Sequence, residues 1–163
     1  LYVVVVFYPQ FLDSVGVDSS AAISLYLAAN GAAGGVTAVA YDRLRKRASR
    51  LTLVGVAVGL WTIGFAGVSA VTTAVGALLP VVLFGAGIGL VFPSAFAWVE
   101  QFAPAAKQGQ FSAYLASVGY TGQFLAPVLF GPLVPGLGVA GVFAVGAAVA
   151  AVGVVTVVVA LSR

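Results

Sequence analysis

The chain has 163 residues, of which 62% are apolar and only 7% carry a charge, and its mean hydropathy is +1.16. So few polar and charged residues cannot cover a core with a water-facing surface, so the composition excludes a soluble globular domain. It indicates an integral membrane protein. Because Cys and His are absent, we expect no enzyme and no cofactor or metal site. The net charge of +3 comes from residues beside apolar stretches and not from a basic face on a soluble domain, so we expect no nucleic-acid partner.

Three long uncharged stretches divide the chain into predicted membrane crossings. No charged residue occurs at positions 19–41, 51–99 or 108–162, and about 20 helical residues cross the hydrocarbon core of a bilayer. The first stretch fits one crossing and the other two fit two each. We therefore predict full spans at about 20–41, 51–69, 77–99, 110–133 and 139–161.

The chain begins with a shorter apolar segment. Residues 1–12 are apolar but too few to cross, so we interpret them as the second half of a truncated span. The chain is accordingly predicted to be a fragment with five full spans and one truncated span. Asp18 or Ser19 is predicted to cap the helix that follows, Pro93 is predicted to kink the fourth helix, and the PGLG sequence at 135–138 is predicted to form a turn.

A basic loop predicts the orientation. Residues 41–50, YDRLRKRASR, hold five of the seven Lys and Arg residues. Since successive loops lie on opposite sides of a membrane, this loop, Lys107 and Arg163 fall on one side, while Asp13 and Asp18 fall on the other. Cytoplasmic loops carry an excess of Lys and Arg, so the basic loops and the C terminus are predicted to be cytoplasmic, in a cell (inner or plasma) membrane.

Glycine predicts how the helices pack. Three pairs repeat at four-residue spacing within predicted spans: Gly31 with Gly35, Gly55 with Gly59, and Gly85 with Gly89. Small residues at this spacing let membrane helices approach closely. Helix packing is therefore the expected role of all three pairs.

Three local patterns resemble the major facilitator superfamily of secondary transporters, over nearly the whole chain. The segment AVAYDRLRKR is similar to that family's basic loop signature, which Asp42, Arg43, Lys46 and Arg47 match. The segments GAGIGLVFPSAFAWVEQFAPAAKQGQFSAY and GYTGQFLAPVLFGPLV resemble its Gly-rich helix with an acidic end and its glycine-proline helix. These segments lack the Arg that often precedes the glycines, and several signature glycines are replaced, at Ala38, Arg45, Ala126 and Phe130.

Those departures indicate the C-terminal half of such a transporter. On this resemblance the six helices correspond to the seventh through twelfth of a twelve-helix protein, and the missing N-terminal half is a partner. The resemblance also implies two three-helix repeats in inverted orientation and a small-molecule substrate bound near the midplane between the halves.

Polar and aromatic side chains within spans are the candidates for the substrate pathway. Tyr26, Asn30 and Thr37 share one face of the second helix, and Gln110, Tyr114, Ser117 and Thr121 share one face of the fifth. Gln123 and Trp61 complete the pathway candidates. A membrane-buried amide is costly unless hydrogen-bonded, so Asn30 and Gln123 could equally serve interhelical hydrogen bonds.

The basic side carries a second candidate site. We expect a cytoplasmic latch of Asp42, Arg43 and Glu100, which would hold a closed state of the transporter through breakable charged contacts. Lys46 and Arg47 belong to the same loop motif. The alternative is that all of these charges are topology signals and solvated helix ends.

The sequence thus predicts an all-α, multi-pass transmembrane bundle that transports a small organic solute by alternating access. No carboxylate, Lys, Arg or His lies deep in any span, which favours a neutral, amphipathic or apolar substrate. The alternative is a non-transporting membrane scaffold that assembles through its small-residue helix faces and holds anionic lipid at the basic loop. A membrane-embedded enzyme is a third interpretation, disfavoured by the lack of His, Cys and buried carboxylates.

Overall fold

A computed structural model describes residues 2–163, which form six α-helices joined by short turns, with no β-strand within that range. The predicted all-α class is therefore confirmed. Leu1, with which the predicted truncated span begins, lies outside the described residues. The helices are α1 (Tyr2–Ser14), α2 (Ser20–Arg45), α3 (Arg50–Ala70), α4 (Leu78–Phe102), α5 (Gln108–Phe130) and α6 (Val134–Leu161).

Four helical segments of residues 2–163 are long and apolar enough to cross a membrane. The first contains α2, the second contains α3 and the third contains α4. The fourth, Ala105–Leu161, has 57 residues and contains both α5 and α6. A short 3-10 turn at Gly131–Leu133 follows α5, and Gly138 breaks α6 with a φ of 67°, a conformation that favours glycine because it has no Cβ. The break falls within the predicted PGLG turn.

Serine caps determine where two of the helices begin. The Ser19 hydroxyl accepts a hydrogen bond from the Ala22 amide at 3.2 Å, and the Ser49 hydroxyl accepts one from the Thr52 amide at 3.0 Å. Each bond satisfies an amide that has no partner within its own helix. Of the two predicted caps for α2, Ser19 is therefore the one used.

Helix α1 supplies much of the hydrophobic core despite its length of 13 residues, or about 20 Å. Tyr8 and Phe11 of α1 pack with Phe65 of α3, Phe84 of α4 and Phe143 of α6. The ring centroids lie between 4.8 Å apart for Phe65 and Phe84 and 6.4 Å apart for Phe84 and Phe143. This five-ring cluster joins four helices.

Helices α2 and α4 run parallel and pack along most of their length. Asn30 contacts Val81 near the start of this pairing, and Tyr41 contacts Ser94 near its end. The Tyr41 and Ser94 hydroxyl oxygens lie 3.0 Å apart, and Ser94 also donates to the Leu90 carbonyl at 2.8 Å. This buried pair was not predicted. Pro93 lies within α4, which continues on both sides of it.

Helix α3 is antiparallel to both α4 and α6. Its first residue, Arg50, donates to the Gln101 side chain near the end of α4. Trp61, in the middle of α3, contacts Phe84, which lies nearer the start of α4. On α6, Gly153 faces Val58 and Gly146 faces the Phe65 ring. The ends of α2, α4 and α6 therefore lie at the same end of the bundle as the start of α3.

All seven Lys and Arg residues lie at that one end of the bundle. Arg43 and Arg45 lie in the last turn of α2, Lys46 and Arg47 lie in the turn that joins α2 to α3, and Arg50 begins α3. Lys107 follows α4, and Arg163 follows α6. Asp18 precedes α2 and Asp13 is near the end of α1, at the opposite end. The charge asymmetry predicted from alternating loops is thus present in the bundle.

The prediction that glycine pairs pack helices together was correct for the pair in α4, wrong for the pair in α2 and correct for one of the two glycines in α3. A Cβ built on Gly85 would fall on the Asn30 carbonyl, and one on Gly89 would fall on the Gly34 carbonyl. In α2, however, Gly34 makes the close contact, whereas a Cβ on Gly31 or Gly35 would meet no atom within 4 Å. Four-residue spacing indicates that residues share a face, but it does not identify the face that packs.

In the α3 pair, only one of the two glycines makes a close contact. A Cβ on Gly55 would lie 2.9 Å from the Val157 side chain of α6, while one on Gly59 would meet nothing within 4 Å. Gly55 therefore packs against α6 as expected. Gly59 serves no close helix contact among the described residues.

Candidate solute pathway

Two of the predicted pathway residues on α2 bond to neighbouring backbone. The Tyr26 hydroxyl donates to the Ala74 carbonyl at 2.7 Å, in the turn before α4. Asn30 Nδ2 donates to the Val81 carbonyl of α4 at 2.9 Å. For Asn30, this bond is the interhelical hydrogen bond that was given above as the alternative to a substrate contact. A part in substrate recognition stays a prediction for both residues.

Thr37 and Trp61 also use their polar atoms within the bundle. The Thr37 hydroxyl donates to the Ala33 carbonyl of its own helix at 2.8 Å. Trp61 Nε1 donates to the Phe84 carbonyl at 3.0 Å, and the Trp61 ring lies against Gly87 of α4. Trp61 thus sits on the α3 side of α4, away from α2, and its predicted place on a cavity wall remains a prediction.

Helix α5 has a different arrangement, because four of its polar residues lie on the side away from the bundle. The less exposed positions of α5 include Ser112, Leu115, Gln123 and Ala126, which share one side of a helix with 3.6 residues per turn. Four polar residues lie on the opposite side and are exposed: Gln110, Tyr114, Ser117 and Thr121. The predicted polar face therefore exists and is the unpacked face of the helix.

Hydrogen bonds on this face are local to α5. Gln110 Nε2 donates to the Tyr114 hydroxyl at 2.6 Å, and the Ser117 and Thr121 hydroxyls donate to carbonyls four residues earlier, each at 2.9 Å. Each hydroxyl oxygen keeps free acceptor capacity. This face, which we call the α5 polar face, can therefore bond to water or to a solute without breaking contacts between helices.

Gln123 does not belong to the α5 polar face. It is half-buried on the packed side of the helix, three residues before the buried Ala126. The structure therefore separates Gln123 from Thr121, which lies only two positions earlier. It also separates the α5 residues from Tyr26, Asn30 and Thr37, which lie on α2 and face α4 or the turn before it.

The basic end has its own polar contacts. Asp42, Arg43 and Glu100 are exposed there, at the ends of the parallel helices α2 and α4. The side-chain bond between Arg50 and Gln101 joins α3 to α4, and Gln108 Nε2 donates to the Glu100 carbonyl at 3.0 Å. Lys46 and Arg47 are exposed in the turn between α2 and α3. The latch itself stays a prediction.

The buried polar side chains of the bundle have hydrogen-bond partners. Within residues 2–163, every buried side-chain nitrogen or oxygen has a hydrogen-bond partner. In that same range no three His, Cys, Asp or Glu side chains cluster closely enough to hold a metal ion. Side-chain hydrogen-bonding capacity that the bundle does not use is therefore found on groups that are not buried, and the α5 polar face is one place where such groups lie together.

No known protein family, curated protein or solved structure matches the chain. The relationship to the major facilitator superfamily accordingly stays a prediction from the sequence.

Proposed function

We propose that this chain is the C-terminal half of a secondary transporter of the major facilitator type, which moves a small organic solute across a membrane by alternating access. The observation that carries the proposal is the α5 polar face. In contact with lipid, Gln110, Tyr114, Ser117 and Thr121 would lose their bonds to water at a cost in free energy. A polar face turned away from its own bundle suits a helix that lines an aqueous pathway.

The pairing of the helices supports an internal repeat. If α1, α2 and α3 are exchanged with α4, α5 and α6, the main contacts map onto one another. Helix α2 contacts α4 and α5 contacts α1, α3 contacts α4 and α6 contacts α1, and α3 and α6 contact each other. The contacts of the short helix α1 are much less extensive than those of α4. Exchange symmetry of this kind is expected of two inverted three-helix repeats, which build many secondary transporters.

Burial agrees with this correspondence. Helices α2 and α5 are equivalent under the exchange, and they bury the fewest residues of the full-length helices: Gly34 and Tyr41 in α2, and Ala126 in α5. They also carry most of the polar residues found within the helices. A pair of equivalent, polar and weakly buried helices is suited to face a second half across a central site.

The proposal includes six crossings, the first of them incomplete. The apolar segment Ala105–Leu161 has 57 residues, or about 86 Å of helix at about 1.5 Å per residue, whereas the hydrocarbon core is about 30 Å thick. One crossing cannot accommodate it, so we assign one crossing to α5 and one to α6. The end with all the basic residues would face the cytoplasm.

Thiol accessibility tests the proposal. Single cysteines replace Ser117 and Thr121 in the full-length protein, with Val152→Cys on the exposed apolar side of α6 as the matched control. A membrane-impermeant maleimide should label the two α5 cysteines in sealed vesicles and leave the control unlabelled, because a thiol in lipid is protected from an aqueous reagent. Protection at both α5 positions would contradict a pathway and support the scaffold alternative.

The latch makes a separate prediction. Asp42→Asn should slow solute uptake into vesicles about tenfold at unchanged expression, because loss of a charge-assisted contact of about 1.5 kcal/mol weakens one closed state. Asp18→Asn makes the same change at the opposite end of the bundle and should leave uptake unchanged. Equal uptake by the Asp42→Asn variant and the wild type would exclude the latch.

A further inference from the structure

A cavity at the basic end of the bundle is lined by three cationic side chains. It has a volume of about 320 Å³ and lies where α2 passes into the turn before α3. Arg43, Lys46 and Arg47 line it together with Leu44. All three cations are exposed, so their charges can meet a ligand from outside the bundle. We call this cavity the basic cavity.

The other two basic residues of the loop have structural contacts. Arg45 Nη1 donates to the Ala48 carbonyl at 2.6 Å, and Arg50 donates to the Gln101 side chain of α4. Both arginines are less exposed than the cations of the basic cavity. Asp42 is the single acidic residue between positions 41 and 50. The loop therefore uses two cations to fix its shape and leaves three exposed, with a large excess of positive charge.

An apolar strip of α2 leads to the basic cavity. Val39 and Val36 precede Arg43 by four and seven residues, so the three side chains share one face of the helix. Val39 is 83% exposed and Val36 is 71% exposed, so the described helices leave this strip open. Both valines lie within the predicted span, and the cations lie just beyond its end. This order matches a phospholipid, in which apolar acyl chains lie beneath a charged headgroup.

From this combination we propose that the basic cavity binds the phosphate of an anionic phospholipid, whose acyl chains lie along Val36 and Val39. On the orientation proposed above, the cavity lies at the cytoplasmic leaflet, where anionic lipids attract basic residues next to membrane spans. A soluble phosphate compound would meet the same charges but would not use the apolar strip. The inference goes beyond the transport proposal, because lipid binding is compatible with a transporter and with a scaffold.

Binding of phosphatidylglycerol to matched variants tests this site. The full-length protein in detergent micelles is titrated with dioleoyl phosphatidylglycerol, and bound lipid is counted by native mass spectrometry. Lys46→Gln/Arg47→Gln removes one Lys and one Arg from the basic cavity. Lys107→Gln/Arg163→Gln removes the same two residue types at the same end of the bundle, from positions that do not line the cavity.

The two variants should differ in lipid binding. We expect Lys46→Gln/Arg47→Gln to weaken the binding of one phosphatidylglycerol molecule about thirtyfold, equivalent to about 2 kcal/mol, since each cation near the surface contributes about half of this. Lys107→Gln/Arg163→Gln should bind as the wild type does. Equal weakening in both variants would indicate general attraction to a basic surface and would overturn the site. Unchanged binding in the cavity variant would overturn it as well.

Competition distinguishes the lipid from other sources of phosphate. We expect neither glycerol phosphate, which has no acyl chain, nor phosphatidylcholine, whose headgroup has no net charge, to displace phosphatidylglycerol at equal concentration. Displacement by glycerol phosphate as effective as that by unlabelled phosphatidylglycerol would indicate a site for soluble anions and would overturn the lipid assignment. Equally effective displacement by phosphatidylcholine would overturn the need for an anionic headgroup.

Discussion

Gly85→Ala is expected to lower the free energy of unfolding by about 2 to 3 kcal/mol, the upper part of the range for overpacked sites. A Cβ at this position would fall on the Asn30 carbonyl oxygen and would also press on Ala33. These are mainly backbone contacts, so relief requires α2 and α4 to move apart. The higher helix propensity of alanine, about 1 kcal/mol, offsets only part of this cost.

Gly31→Ala is the matched control, since the same methyl group would meet no atom within 4 Å. We expect this variant to be as stable as the wild type, or more stable by up to about 1 kcal/mol. Both variants can be compared by circular dichroism during unfolding of the full-length protein in mixed detergent micelles. If Gly85→Ala unfolds at the same denaturant concentration as Gly31→Ala, the close α2–α4 crossing is wrong.

Phe143→Ala should cost about 3 to 5 kcal/mol, the range measured when a large buried aromatic is truncated. The Phe143 side chain is 0% exposed. Its ring centroid lies 6.0 Å from those of Tyr8 and Phe65 and 6.3 Å from that of Phe11. Truncation would therefore leave a cavity where α1, α3 and α6 meet, and neighbouring rings on different helices could close it only by moving those helices.

Phe102→Ala tests whether that cost comes from packing. Phe102 is 73% exposed at the end of α4, so its ring contacts few protein atoms and truncation should change stability by no more than about 0.5 kcal/mol. Thermal unfolding of both variants in the same micelles provides the comparison. Similar losses for the two variants would mean that the five-ring cluster does not stabilise the bundle.

Hydropathy and charge predicted most of the secondary structure. The predicted span at 20–41 corresponds to α2, which begins at Ser20 and continues to Arg45. The predicted span at 77–99 corresponds to α4, Leu78–Phe102. In both cases the helix runs past the predicted end because the first charged residue ends an apolar stretch but does not end a helix. A charged residue marks the end of an apolar stretch, whereas caps and turns determine where the hydrogen bonding of a helix stops.

Contacts between helices were less predictable. The polar residues of α2 and α5 have similar spacings, yet Tyr26 and Asn30 bond to the turn before α4 and to α4 itself, while Ser117 and Thr121 face away from the bundle. Spacing along one helix indicates which side chains share a face. It contains no information on which neighbour that face meets.

By itself, the sequence determined that this protein is helical and apolar, approximately where its helices lie, and that its basic residues are found near the ends of alternate helices. These properties follow from residue-level energies, such as the cost of placing a charge in lipid or of leaving a helix end uncapped. Only the tertiary structure decided that Gly34 rather than Gly31 makes the α2–α4 contact, and that the α5 polar face is unpacked. Each of these depends on the rotation of one helix against another, which is settled by the sum of many weak contacts between residues far apart in the chain.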